Sequence, residues 1–198
     1  MKAKFIILTA LLFLFGCSRG WDYKDYFNFY NQFEEPSYVE IESNGFIYQL
    51  QYRPKEFLAI NELKTDPAIN NKLIESELTK YDEGLNYCLR ISSTENVDVL
   101  TQNLPNDGEY YTRIGKLNVD FPYLISGIND ADTIRCQFHH FERAYKIQPF
   151  IQVLFSLNAT DENRPNTIQF EDIIFNDGRL IEFKNLENYY TQLPELNL

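Results

Sequence analysis

Three different rhythms of apolar and polar positions divide the chain. From Phe5 to Phe15 the run is apolar apart from Thr9. Tyr23, Tyr26, Phe27, Tyr30 and Phe33 then recur at helical spacing behind Asp22, whose carboxylate suits an N-cap, and this pattern ends before Pro36. From Tyr38 to Arg53 the rhythm changes to alternation about Asn44-Gly45, a dipeptide that supplies the two positive φ angles of a type I′ turn. A two-residue loop pairs Ser43 with Phe46, Ile41 with Tyr48 and Val39 with Leu50 on a core face. It places Glu42/Ile47, Glu40/Gln49 and Tyr38/Gln51 on a mostly polar face turned to water.

Pro54, followed by Phe57, Leu58 and Leu63, opens a short helix, and Asp66-Pro67 repeats the cap-then-proline signature for a second that reaches about Tyr81. Gly84 stops it. Strand patterns follow at about Leu85 to Ser92, Glu109 to Leu117, Thr133 to Tyr145, Phe150 to Leu157, Thr167 to Phe175 and Leu180 to Lys184. Phe150 to Leu157 is nearly all apolar, which suits a strand covered on both faces. Asn176-Asp177-Gly178 joins the last two strands through a two- or three-residue turn, and the stretches 96–107 and 158–166 are polar and turn-rich. There is no internal repeat or low-complexity tract. The fold class expected is mainly β with a helical insertion, an antiparallel β-sandwich or partly open barrel in one domain over residues 21–198.

The first run is too short to span a bilayer, which takes ~20 apolar residues, and with Lys2 and Lys4 before it, residues 1–16 read as a cleaved secretory signal. Leu14-Phe15-Gly16-Cys17 resembles the lipobox of bacterial lipoproteins, although Phe15 stands where that pattern has a small or β-branched residue. The resemblance implies cleavage before Cys17, a diacylglyceryl-modified and acylated Cys17, and a short lipidated tether over residues 17–20. Several acyl chains on one cysteine make attachment effectively permanent. Ser18 lies where inner-membrane lipoproteins of enteric bacteria carry Asp, so the resemblance implies the outer membrane. Ser18-Arg19-Gly20 is not the acidic run that follows the cysteine in surface-exposed lipoproteins of the Bacteroidota, which favours the periplasmic face. Asp132-Thr133-Ile134 matches the short pattern that those bacteria O-glycosylate.

The chain carries a formal charge of −11, and loss of Lys2 and Lys4 leaves the mature part more acidic still. No basic stripe offsets this, so nucleic acid is excluded as a partner and anionic lipid is disfavoured. Fourteen Tyr among 16% aromatic residues suit an interaction surface, since Tyr gives contact area at low entropy cost; AT-rich codon usage favours the same residues. Of the remaining cysteines, Cys88 lies on the polar face of its strand with Asn86 and Arg90, whereas Cys136 shares a face with Ile134 and Phe138, so the pattern argues against a disulfide.

Chemistry is sparse. The only histidines, His139 and His140, stand where Ile134, Cys136 and Phe138 keep even phase but Phe141 and Tyr145 keep odd phase, which predicts a β-bulge at that pair. Cys136, His140 and Glu142 on one face would make a metal site only with further ligands, and none is visible, so no metal or other cofactor is expected. His139, His140, Glu142 and Arg143 remain candidates for a ligand or interface site. There is no nucleophile elbow, zincin motif or phosphate-binding glycine loop, and the paired carboxylates at Glu34-Glu35 and Asp161-Glu162 lie in turn-like sequence. The expectation is a non-enzymatic domain, held to its membrane by lipid, that docks on a larger envelope complex such as a secretion or motility apparatus. The alternatives are a glycan- or ligand-binding module and a metal-dependent envelope enzyme around His139 and His140.

Overall fold

A computed structural model describes residues 20–81, 83–130, 132–142 and 148–198; the lipobox-like segment with Cys17, and also Arg143, lie outside the described residues. Helix α1 (Tyr23–Asn31) starts where expected, its Asp22 carboxylate accepting from the amides of Lys24 (2.8 Å) and Asp25 (3.0 Å). Strands β1 (Val39–Ser43) and β2 (Phe46–Arg53) pair in the expected register, with Asn44 and Gly45 at φ 52° and 85°. The second face of β2 does not all meet water, however. Gln51 is fully buried, and its Nε2 donates to the Tyr30 carbonyl (3.0 Å) and Ser37 Oγ (3.1 Å), because α1 lies over that face.

Helix α2 (Lys55–Leu63) follows, with Pro54 as its N-cap. The next helix begins later than Asp66. Asp66 instead closes a turn, accepting from the Ala68 amide on Oδ1 (2.8 Å) and from the Ile69 amide on its carbonyl (3.2 Å). Asn70 caps α3 (Asn71–Leu78), accepting from the Leu73 amide, and a 3₁₀ turn (Thr79–Tyr81) leads to Gly84 at φ 80° and strand β3 (Leu85–Ser93). Helices α1, α2 and α3 build a second small core from Tyr26, Tyr30, Phe57, Ile60 and Ile74, with the Phe27 ring stacked on Phe57 at 5.6 Å. The same layer seals Cys88 completely, so its face of β3 is covered rather than solvated.

The segment 109–117 is a helix, not a strand. It forms α4 (Asp107–Val119), capped by Asn106 Oδ1 accepting from the Glu109 amide, and continues into α5 (Phe121–Leu124). Tyr110, Ile114, Leu117 and Phe121 recur at helical spacing and pack on the main core. β4 (Ile125–Asn129), β5 (Asp132–Glu142), β6 (Phe150–Leu157), β7 (Thr167–Asp172), β8 (Arg179–Phe183) and α6 (Leu186–Tyr190) complete the described chain. Residues 173–178 make a longer connection between β7 and β8 than a tight turn.

All these strands are antiparallel and form a sheet in the order β1-β2-β3-β6-β5-β4-β7-β8. β8 comes back beside β1, giving a nearly closed barrel, and Asn176 ties the seam by accepting from Asn44 Nδ2 (3.0 Å) and donating to Ser43 Oγ (3.3 Å). β6, the apolar strand, is central, between β3 and β5. β5 is the corner strand: up to Arg135 it pairs with β4, and from Cys136 onward with β6. The predicted bulge exists, but at Gln137, between Cys136 and Phe138, where the strand changes partner and must bend. A row of rings crosses the interior in register, Tyr52 to Tyr87 (5.4 Å), Tyr87 to Phe155 (5.4 Å), then Phe121 (5.8 Å from Phe155), each pair adding about 0.5–1.5 kcal/mol beyond its buried area.

Candidate functional site

The shifted bulge redistributes the residues that sequence reasoning singled out. With Gln137 taking the extra position, His139 turns inward, its ring stacked 5.8 Å from Phe121 and its Nε2 3.0 Å from the Asn118 carbonyl. His140 stays exposed on the outer face in one row with Leu154 and Cys88, and Phe138 is left 62% exposed on that face. Cys136 is on the opposite face, its Sγ donating to the Phe138 carbonyl (3.2 Å), so Cys136, His140 and Glu142 do not converge. Glu142 is engaged differently. The Gln152 amide, oriented to satisfy both neighbours, donates to Glu142 Oε2 (3.2 Å) and accepts from Arg90, whose guanidinium lies between the rings of Phe33 (3.7 Å) and Phe150 (4.2 Å). Among the described residues no group of three or more His, Cys, Asp and Glu is placed to hold a metal ion.

The thiols are separate from one another. Cys88 pairs across to Leu154 and Cys136 to Leu157 on opposite faces of the sheet, and both cysteines are free. Burial pushes each thiol up to about 11. Mass spectrometry after iodoacetamide treatment of the folded protein at about pH 8 is therefore expected to show Cys88 unmodified and Cys136 only slowly modified, both becoming labelled in denaturant.

A concavity lies elsewhere, at the end of the barrel where β2 leaves the sheet and β3 enters it. It is a polar cleft of about 510 Å³ walled by Arg53, Glu56, Asn86, Asp161, Arg164 and Tyr190, with the 193–196 segment along its rim. Arg164 is fixed by Asp161, whose Oδ1 accepts from Nη2 (2.6 Å) and Nε (3.1 Å), while its guanidinium lies 5.1 Å and 5.2 Å from the ring centroids of Tyr52 and Tyr190. Arg53 is held over the Phe57 ring (5.4 Å) with Nε donating to Gln51 Oε1 (3.3 Å). Tyr190 donates to the Pro165 carbonyl (3.3 Å) and meets the Tyr87 hydroxyl at 2.9 Å; burial pushes its phenol up to about 12, with the Tyr87 contact acting against that. Neutral hydroxyls beside oriented guanidinium groups suit the binding of polar or anionic groups. This cleft draws on segments scattered from Arg53 to Tyr190, and no local motif announces it.

A second surface feature is apolar. Tyr111 and Val119 stand one above the other on the outer side of α4, 70% and 65% exposed, with Gly115 between them facing open space, and Tyr123 on α5 is 87% exposed. No helix among the described residues is long and apolar enough to cross a membrane. Comparison of the chain with known protein families, characterised proteins and solved structures finds no match to any of them.

Proposed function

We propose that this chain is a lipid-anchored protein of the bacterial cell envelope, held through Cys17 at the outer membrane on its periplasmic side, that acts without catalysis by docking on a larger envelope assembly such as a secretion or motility apparatus. The lipobox-like Leu14-Phe15-Gly16-Cys17 supports the anchor, and the exposed stripe of Tyr111, Val119 and Tyr123 carries the docking role. Large rings with few rotatable bonds make anchors at interfaces, and the gap at Gly115 leaves room for a partner side chain between two of them. The inward, hydrogen-bonded His139 and the sealed Cys88 support a binding role over a catalytic one.

Crosslinking of the anchored protein in intact cells, followed by mass spectrometry, tests it. A partner in fixed ratio, linked to α4 and α5, is expected, and Tyr111→Ser with Tyr123→Ser is expected to weaken its capture at least tenfold, since an interface anchor is worth about 2 kcal/mol. Recovery of abundant outer-membrane proteins alone would remove the docking role. The polar cleft around Arg164 then favours the second reading, a ligand-binding module for acidic or polar groups.

A further inference from the structure

The chain contains one tryptophan, Trp21, at the point where the described domain begins. Its backbone is locked in place: the Trp21 amide donates to the Glu195 carbonyl (2.8 Å), its carbonyl accepts from the Asn197 amide (2.9 Å), and it forms a parallel bridge with Leu196. The side chain is not packed away. Trp21 is 41% exposed, its ring set edge-on to Phe29 (centroids 5.5 Å, 77°), and Leu198, two residues beyond the bridged Leu196, is 42% exposed. A rigid domain therefore presents an indole and a leucine at the end from which the N-terminal segment departs.

On the reading that Cys17 is lipidated, Ser18, Arg19 and Gly20 alone separate the acylated cysteine from Trp21, and these four Cα–Cα steps reach at most about 14 Å. The polar layer of one leaflet is only about 5–8 Å thick, and tryptophan prefers that layer, where its ring is half in hydrocarbon and its N–H is wet. We propose that Trp21 and Leu198 seat this end of the domain in the headgroup layer of an uncharged or zwitterionic lipid surface, so that the lipid anchor sets orientation as well as location. The charge around the indole fixes the lipid class. Asp22 before α1, Asp25 on it, Glu34 and Glu35 after it and Glu195 from the facing segment are exposed carboxylates, against Lys24 on α1 and Arg19 in the tether sequence.

Orientation follows from the strands. The 193–196 segment shares the cleft with Arg53 and Leu85, at one end of β2 and β3, whereas the Gly45 turn, Thr94 and the 99–102 loop held by Arg113 of α4 lie at the other. Nine residues of β3 separate the two ends by about 26 Å. Seating Trp21 in the membrane thus turns the Tyr111 end of α4 toward the aqueous side, where an assembly can reach it.

The single indole makes the test direct. The full-length lipidated protein, purified from membranes and reconstituted in phosphatidylcholine vesicles, is compared with and without lipids brominated near the headgroup. Trp21 emission is expected to be blue-shifted and to fall by roughly half with brominated lipid. Trp21→Phe carrying Tyr111→Trp is expected to show no quenching, and replacing much of the lipid by phosphatidylglycerol is expected to reduce quenching of Trp21. Acylated, vesicle-bound protein whose Trp21 is unaffected by bromine overturns the seating while leaving the anchor intact. Absence of acyl mass on the Cys17 peptide overturns the anchor, and the seating with it.

Discussion

Asp172→Ala is expected to destabilise the folded chain by about 3–5 kcal/mol, read as a fall in the urea midpoint at neutral pH. Asp172 has no exposed surface, and its two oxygens are fully engaged: Oδ2 accepts from the Tyr48 hydroxyl (2.6 Å), and Oδ1 from the amides of Ile174 and Phe175 (2.9 Å each). The carboxylate therefore starts the connection after β7 and ties it to β2, whose Tyr48 ring meets Phe170 inside the barrel. Asn176 donates to the same Tyr48 hydroxyl (3.3 Å) and bridges to the β1 seam. Alanine leaves three buried donors without their acceptor, and each orphaned group costs about 1–3 kcal/mol. Asp172→Asn keeps an oxygen for the two amides but sets an NH₂ against the Tyr48 hydroxyl, so a smaller loss of about 1–2 kcal/mol is expected.

The same residue gives a pH signature. Burial raises the Asp172 carboxyl above its ordinary 3.8, against the pull of the Tyr48, Phe175 and Ile174 hydrogen bonds and of Arg113. The folded state then holds this proton more tightly than the unfolded chain. Its contribution to stability is fully present below 3.8 and is lost as the pH rises through the raised folded value. The stability of the wild type relative to Asp172→Asn is thus expected to be greater at about pH 3.5 than at about pH 7. A difference that instead grows with pH would mean that the hydrogen bonds outweigh burial.

The parts of this fold legible in the sequence are those where local chemistry and tertiary demand agree. Asn44-Gly45 fixes both the turn and, through the period of two, every pair in the first hairpin, so its register follows from the local sequence without knowledge of the rest. In α4 the two disagree. Tyr110, Tyr111, Thr112 and Ile114 favour strands by propensity, and exposed Tyr111 and Val119 add apolar positions outside the buried stripe, hiding the helical recurrence of Tyr110, Ile114, Leu117 and Phe121. The bulge illustrates a related limit: the phase slip along β5 is visible, but exposed Phe138 mimics a core position and moves the slip two residues downstream. The histidine site dissolves for that reason. The polar cleft is illegible for a different one, since barrel closure alone brings Arg53 to Arg164 and Tyr190.

Gly84→Ala is expected to cost about 3–4 kcal/mol, against a gain of about 0.5–1 kcal/mol for Gly115→Ala, both read from urea unfolding of the same protein. The substitution is identical and the sign opposite because the surroundings differ. Gly115 sits mid-helix with nothing near the position of a Cβ, so alanine only restricts the unfolded chain and favours α4. Gly84 has φ 80°, where a side chain costs about 1–2 kcal/mol, and its Cβ would lie 2.3 Å from Gln137 Nε2, 2.5 Å from Ser156 Oγ and 2.9 Å from the Leu157 carbonyl. The side-chain ends can swing away, but doing so breaks the Gln137–Ser156 hydrogen bond (3.2 Å). The carbonyl cannot, because Leu157 is paired with Leu85 on one side and Cys136 on the other. Gln137 is the bulged residue of the corner strand, so a methyl group at position 84 pushes on the place where the sheet bends. A loss for Gly84→Ala no larger than the left-handed penalty alone would show that the corner yields; the fuller loss would show that it is rigid, and that the glycine ending the helical insertion also holds the barrel's bend in place.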